Sequence, residues 1–128
     1  MAEAIRGADA LVRGLTRGGA GTVFSLSGNH IMSVYDALLD TPLRLIHTRH
    51  EAAAVHMADA WARLSGQAGI ALVTGGQGHT NAVAGLATAM CGETPLVLLS
   101  GHAPLGEIGL GAFQELDNAA LAEPVTKA

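Results

Sequence analysis

A carboxylate, Glu51, opens a segment that is otherwise apolar. Three alanines follow it, and at helical spacing Glu51 shares one face with Val55, Ala58 and Ala62. An acid in the first turn of a helix commonly just complements the helix dipole, and the pattern alone favours this role. In a low-dielectric cleft, the same carboxyl group can exchange a proton with a ligand nitrogen near neutral pH. Glu51 is therefore the first candidate for chemistry, on condition that it is buried.

A glycine-rich loop, Gly75-Gly76-Gln77-Gly78, lies between a predicted strand and a predicted helix. Its backbone N–H groups are suited to an anion, but the Lys-Ser/Thr pair of a phosphate-binding P-loop does not follow. An equally good interpretation is a tight turn that lets two backbones approach closely. Close approach would also admit a flat ring, so the loop is a candidate ligand contact.

The six histidines invite a metal-site interpretation, which their spacing does not favour. His50 and His56 are six positions apart on one predicted helix, and no H-E-x-x-H pattern occurs. We therefore predict no metal site, and we expect His56 to be a packing or surface residue. The other five fall at or just beyond predicted strand ends, where one or two are expected to be functional. They are His30, His47, His50, His79 and His102.

Short apolar runs alternate with segments of helical periodicity along the whole chain. The runs predict strands over residues 22–26, 43–47, 70–74 and 96–100, and the periodic segments predict helices over 3–17, 31–39, 50–64 and from the glycine-rich loop to about residue 90. This alternation predicts a doubly wound α/β fold, with a mainly parallel sheet flanked by helices. We expect residues 1–128 to form a single domain.

In such sheets, ligands bind outside the carboxyl ends of the strands. The segments that follow the four predicted strands are residues 27–30, 48–51, 74–79 and 101–102, and all of them are rich in polar groups. A candidate site is therefore expected at this edge of the sheet.

The composition excludes several classes of partner. With a formal net charge of −4, one Trp, one Tyr and two Phe, the chain has neither a basic stripe nor stacking platforms for nucleic acid. No apolar run is long enough to cross a bilayer, so no membrane contact is expected.

A lone Cys91 cannot form an internal disulfide, which predicts a cytoplasmic protein with this thiol packed in the core. The 49% hydrophobic content predicts apolar surface that a partner covers.

Four motifs in order resemble a known family. They are Thr48-Arg49-His50-Glu51, Thr74-Gly75-Gly76-Gln77-Gly78-His79-Thr80-Asn81, Ala112-Phe113-Gln114-Glu115 and Pro124-Val125-Thr126-Lys127. Together they resemble the N-terminal pyrimidine-binding domain of thiamine diphosphate-dependent enzymes such as acetolactate synthase, pyruvate oxidase and benzaldehyde lyase. Residues 27–31 are closer to the benzaldehyde lyase branch, whereas residues 35–38 and 113–115 are closer to acetolactate synthase. The expected reaction class therefore stays broad, and the expected substrates are 2-keto acids, aldehydes or 2-hydroxy ketones.

The resemblance implies roles for individual residues. Glu51 would hydrogen-bond N1′ of the cofactor's aminopyrimidine and promote formation of the nucleophile at the thiazolium ring. Gln114 would approach the reacting end of the cofactor, and His30 is a candidate acid–base group. The residues implied to bind the cofactor are Gly28, Glu51, Thr74, Gln77 and Asn81, and those implied to face the substrate are Asn29, His30 and Gln114. Ser27 and Gln77 replace a proline of many relatives, and His79 replaces a small or apolar residue.

The family holds Mg²⁺ and the diphosphate with a Gly-Asp-Gly motif and a following Asn in a separate C-terminal domain, and this sequence contains no such motif. The resemblance thus implies a site completed by the diphosphate-binding domain of a second subunit, usually in a homodimer, and an isolated chain without activity. We favour a fragment of a longer enzyme over a natural subunit that needs a separate diphosphate-binding chain. A non-catalytic dimerising module is a further alternative, and an NAD-binding domain is a distant one because the first strand leads into Leu26-Ser27-Gly28-Asn29.

Overall fold

The computed structural model describes residues 4–127 and contains one four-stranded sheet. All strand pairs are parallel and the strand order is β2-β1-β3-β4. The strands are β1 (Thr22–Ser25), β2 (Arg44–His47), β3 (Gly69–Val73) and β4 (Leu96–Ser100). The helices are α1 (Gly7–Arg17), α2 (Met32–Leu38), α3 (Glu51–Ser65), α4 (Gln77–Cys91) and α5 (Asn118–Ala122). The predicted α/β fold with a parallel sheet is confirmed.

The predicted elements differ from the observed ones mainly at their ends. Residue 3, where the first helix was predicted to begin, lies outside the described residues, and α1 begins at Gly7. The second helix is preceded by a 3₁₀ turn, Asn29–Ile31, and two further 3₁₀ turns cover Leu105–Glu107 and Glu123–Val125. The prediction that Cys91 packs in the core is wrong, because this residue is exposed at the end of α4.

Both faces of the sheet are covered, because the two central strands are buried throughout. Successive side chains of a strand point to opposite faces, so β1 and β3 feed two separate cores. The core beneath α1 and α2 includes Val12, Val23, Ile31, Val34, Leu38, Ile70 and Leu72. The core beneath α3 and α4 includes Phe24, Ala54, Val55, Ala58, Ala71, Val73, Ala82 and Leu86. Helices on both faces of one parallel sheet make the fold doubly wound.

Small side chains allow α3 and α4 to pack closely. Gly85 of α4 lies against Val55 of α3, and a methyl group at position 85 would come within 2.7 Å of the Val55 Cβ. Ala54, Ala58 and Ala82 are fully buried at the same interface. This packing brings the first turns of the two helices together, which is where the candidate residues of α3 and α4 lie.

The first turn of α3 is fixed by a histidine cap. Nδ1 of His50 accepts a hydrogen bond of 3.1 Å from the backbone N–H of Ala52, which satisfies one of the otherwise unpaired donors at this helix end. Thr48 is buried and its hydroxyl donates to the backbone oxygens of Ser25 and His50. Residues 48–50 thus present Glu51 as the first residue of α3 in a defined position.

Candidate functional site

The candidate site lies at the carboxyl edge of the sheet. Because all four strands are parallel, the segments that follow them emerge at the same edge. These are the four polar segments expected from the sequence, at residues 27–30, 48–51, 74–79 and 101–102. The structure therefore brings together the residues of four separate motifs.

The carboxylate of Glu51 is buried, with 9% of the residue exposed. The side-chain N–H of Asn81, in the second turn of α4, donates a hydrogen bond of 3.0 Å to its Oε2. Its Oε1 lies next to Gly78, where a methyl group would come within 3.2 Å of it. Val55, Ala58 and Ala62 are buried on the same helix, as the spacing predicts. A buried carboxylate beside a side-chain-free glycine can exchange a proton with a ring nitrogen placed against it.

Thr74 joins three parts of the site. It is buried after β3, and its hydroxyl lies 3.4 Å from Nδ1 of His30. A methyl group at Gly28 would come within 2.8 Å of the Thr74 hydroxyl, and one at Gly78 within 2.6 Å of the Thr74 methyl carbon. The absence of side chains at both glycines therefore lets the ends of β1 and β3 meet the start of α4.

The glycine-rich loop lies directly beneath Gln114. Gly76 has φ 60° and ψ −118°, and a methyl group on it would come within 2.8 Å of the Gln114 Cβ. Gln114 itself has a φ of 55°, which is uncommon for a residue other than glycine. On the other side of the loop, a methyl group at Gly75 would come within 2.6 Å of the Gly101 oxygen. The loop is thus held between the end of β4 and Gln114, and the interpretation as a close backbone approach is confirmed.

A carboxylate holds the segment that carries Gln114. Glu115 accepts hydrogen bonds from the backbone N–H groups of Gly109, Gly111 (3.1 Å) and Ala112 (3.0 Å). These donors lower the pKa of Glu115, the N–H of Gly109 having the largest effect. Positive φ values at Gly109 and Gly111 turn the backbone towards the carboxylate. The sequence motif contained Glu115, but this role was not predicted.

Most of the strand-end histidines have local partners. His50 caps α3, Nε2 of His47 lies 3.3 Å from the Ser27 hydroxyl, and both ring nitrogens of His102 lie 3.1 Å from backbone oxygens. His30 differs, because it is half-buried beside Thr74 with its ring centroid 6.1 Å from that of Phe113. Within residues 4–127, no group of three or more His, Cys, Asp or Glu side chains could hold a metal ion.

The remaining predicted residues are at the rim of the site. The side chains of Asn29 and Gln77 are exposed and make no hydrogen bond to any described residue. Both belong to segments that border the glycine-rich loop, at the start of a 3₁₀ turn and at the first position of α4. The structure places them near the candidate site without assigning them a contact.

His79 is the residue whose role the sequence did not indicate. Only 4% of it is exposed, and its Nδ1 lies 2.6 Å from the hydroxyl oxygen of Ser100, the last residue of β4. Burial lowers the pKa of His79, and the neighbouring backbone of Asn118 opposes this effect in part. It was predicted as one of several strand-end histidines, and its burial depends on how α4 packs over β4.

Comparison with known proteins gives consistent matches. Residues 5–121 match the family described as "Thiamine pyrophosphate enzyme, N-terminal TPP binding domain". The chain is 44% identical to the probable acetolactate synthase large subunit of Methanocaldococcus jannaschii, over 96% of this chain and 21% of that protein. It is 44% identical to the acetolactate synthase isozyme 3 large subunit of Escherichia coli K12, over 98% of this chain and 22% of that protein. The chain thus spans about a fifth of the length of these relatives.

Among residues 4–127, no helix has the length and hydrophobicity needed to cross a membrane.

Proposed function

Because the chain belongs to the thiamine pyrophosphate enzyme family, through its N-terminal TPP binding domain, we propose that it is the pyrimidine-binding half of an acetolactate synthase-like enzyme. The reaction would be a carboligation, decarboxylation or lyase reaction of 2-keto acids, aldehydes or 2-hydroxy ketones, in the cytoplasm. The observation that carries this proposal is the buried carboxylate of Glu51, which is hydrogen-bonded to Asn81 and lies beside Gly78.

The residues at the site fit a flat aminopyrimidine ring. Gly28, Gly76 and Gly78 present backbone where a side chain would collide with Thr74 or Gln114, and a planar ligand needs such close access. When bound, thiamine diphosphate supplies a carbon nucleophile and an electron sink. The proposed binding residues are Gly28, Glu51, Thr74, Gln77 and Asn81.

Glu51 is proposed to hold and move a proton at N1′ of the aminopyrimidine. The hydrogen bond from Asn81 keeps Oε2 occupied, so Oε1 is the oxygen available for the ring. Oε1 faces Gly78, on the side of the glycine-rich loop. A carboxyl group held this way delivers or accepts a proton without first having to reorient.

Gln114 and His30 are proposed to act with Glu51 as catalytic residues, and Asn29 to face the substrate with them. Gln114 lies over the glycine-rich loop, and His30 is half-buried next to Thr74 with ring nitrogens suited to proton transfer. His30 lies next to Gly75 of the loop, and Gln114 lies next to Gly76. This arrangement supports a reacting carbonyl group placed between the loop and residues 29–30.

The diphosphate and Mg²⁺ are proposed to be held by a domain of a second subunit, most simply in a homodimer. The described residues offer no cluster of carboxylate and histidine ligands for a cation. The segment that carries Gln114 also exposes large apolar side chains, with Leu105 90%, Leu110 77% and Phe113 68% exposed. Several exposed large apolar groups in one segment next to a site support coverage by a partner.

The proposal is tested by NMR titration of the isolated ring, 4-amino-5-hydroxymethyl-2-methylpyrimidine, into the isotopically labelled chain. We expect weak binding, with a Kd of about 1 mM, and shifts of the amide signals of Gly78 and Asn81. Glu51→Gln should weaken binding about tenfold, which corresponds to one lost charge-assisted hydrogen bond. Glu123→Gln, an exposed position distant in sequence from the loop, is the matched control.

A second titration with thiamine diphosphate and Mg²⁺ separates the alternatives. Binding no tighter than that of the free ring, together with no turnover of pyruvate, is expected for a chain that holds only the pyrimidine. Much tighter binding would mean that this chain holds the diphosphate itself. A folded chain that binds neither molecule would instead be a non-catalytic dimerising module, and restoration of activity by a separately supplied diphosphate-binding chain would identify a natural subunit.

A further inference from the structure

His79 occupies a buried junction of three elements. It is the third residue of α4, its Nδ1 lies 2.6 Å from the Ser100 hydroxyl at the end of β4, and the backbone of Asn118 at the start of α5 lies beside its ring. Nε2 is buried and completes no hydrogen bond to any residue between 4 and 127. The side chain of His79 therefore links α4 to the end of β4, next to the start of α5.

A second contact ties the same elements together. The side-chain N–H of Asn118 donates a hydrogen bond of 3.0 Å to the backbone oxygen of Gly101. That oxygen is also the atom against which Gly75 packs. The two ends of the Gln114 segment, at Gly101 and Asn118, are thus held next to the glycine-rich loop, with the ring of His79 at the junction.

Gly76 and the first two turns of α4 contact both sides of the candidate site. Asn81, two residues after His79, donates to Glu51, and Gly76, three residues before it, lies beneath Gln114. A displacement of this part of α4 relative to β4 would change the position of both contacts. The position of α4 relative to the end of β4 therefore determines where Glu51 and Gln114 lie relative to each other.

We propose that His79 is a positioning residue for the pyrimidine site, which fixes the start of α4 against Ser100 and so sets the spacing between the Glu51–Asn81 pair and Gln114. This inference rests on the proposed function. His79 does not touch the ring in this arrangement, because it points towards β4 and α5. It acts through Asn81 and Gly76.

The test uses the same NMR titration with the free aminopyrimidine and four variants. His79→Leu keeps a side chain of similar size but loses the hydrogen bond to Ser100. Ser100→Ala removes the partner of that bond. His79→Asn keeps a polar atom at the position of Nδ1. His56→Leu, an exposed histidine on α3, is the matched control. Urea unfolding of each variant measures stability separately from affinity.

His79→Leu and Ser100→Ala should each weaken binding about three- to tenfold while the chain stays folded, because small misplacements of contacting groups reduce their interaction strongly. The amide signals of Gly76, Asn81 and Gln114 should move in both variants without ligand. His79→Asn should bind within about twofold of the original chain, since its bond to Ser100 is retained. Should His79→Leu fail to fold, the Ser100→Ala and His79→Asn variants decide the matter.

The outcomes separate this inference from the proposed function. If the original chain is folded and does not bind the ring, the proposed function fails. If the original chain binds and both His79→Leu and Ser100→Ala bind equally well, with unchanged Gly76 and Gln114 signals, the positioning role is overturned. Equal losses in His79→Leu and His79→Asn would also overturn it, because the bond to Ser100 would then not be the cause.

Discussion

The side-chain amide of Asn81 donates a hydrogen bond of 3.0 Å to the carboxylate of Glu51, and the two residues lie in the second turn of α4 and the first turn of α3. The pair therefore depends on the close packing of α3 and α4, which Gly85 and Val55 permit. Because Glu51 is buried, this bond replaces water that the carboxylate would otherwise bind.

Asn81→Ala is expected to destabilise the chain. It removes a donor from a buried carboxylate, and a loss of this kind costs about 1–3 kcal/mol of unfolding free energy. Urea unfolding near neutral pH measures the change, with Asn29→Ala as the control because the exposed Asn29 makes no hydrogen bond to a described residue. Equal stabilities of the two variants would mean that the Asn81–Glu51 bond contributes nothing.

Gly76→Ala is expected to be poorly tolerated. Gly76 adopts a conformation that side-chain-bearing residues rarely reach, and a methyl group there would collide with Gln114. The strained backbone alone would lower the free energy of unfolding by about 1–3 kcal/mol. A larger decrease is expected because the Gln114 segment must also move. Gly14→Ala is the control, because position 14 lies in α1 with open space around it, and the substitution should stabilise the helix by about 0.5–1 kcal/mol. Thermal unfolding of both variants should show shifts of opposite sign.

His79 should make stability depend on pH below its ordinary pKa of 6.5. Burial lowers the pKa of His79 in the folded chain, so between 6.5 and the folded value the unfolded chain binds a proton that the folded chain does not. The free energy of unfolding should therefore be constant above this window and fall as the pH decreases through it.

Urea unfolding of the original chain and of His79→Asn between about pH 8 and 5 measures this effect. The variant should lose less stability on acidification, because asparagine does not titrate. Parallel curves for the two proteins would show that His79 takes up its proton as readily in the folded chain as in the unfolded chain.

Glu115 should titrate below its ordinary pKa of 4.5. Because the backbone N–H groups of Gly109, Ala112 and Gly111 favour its charged form, its contribution to the order of this loop is complete above 4.5 and is lost as the pH falls through the folded value. NMR signals of the Gly109 and Gly111 amides should report that midpoint. Glu115→Gln should shift both signals at neutral pH, whereas Glu107→Gln, in the same exposed segment, should leave them in place.

Much of the fold was predictable from the sequence, because its strands and helices are long enough to show their periodicity. Helix α5 was missed, since five residues carry no helical period, although Asp117 at its start caps the backbone N–H of Ala120. Cys91 was misplaced because an apolar neighbourhood in sequence does not determine which side of a helix faces the core. The parallel direction of the strands followed from the alternation of strands with helices, whereas their order in the sheet was not predicted.

The candidate site was predictable only in part. The pattern alone favoured a helix-dipole role for Glu51, and the family resemblance was needed to assign it a role at the cofactor, whereas its burial became visible only in the structure. The bond between His79 and Ser100 was not predictable, because it depends on the height of α4 above β4. The position of Gln114 depends on the turns at Gly109 and Gly111 and on the hydrogen bonds that their backbone N–H groups donate to Glu115. No local sequence pattern predicts such a conformation.

The place of Thr74 between Gly28 and Gly78 has an evolutionary consequence. A methyl group at Gly78 would come within 2.6 Å of the Thr74 methyl carbon, so alanine at position 78 requires a residue 74 without that methyl group. A methyl group at Gly28 would come within 2.4 Å of the Thr74 Cβ, so alanine at position 28 requires glycine at position 74. The order of the substitutions matters, and each single step is disfavoured. Gly14, in contrast, has open space around it and can be substituted without a change at another position. The three positions 28, 74 and 78 should therefore be inherited as one unit.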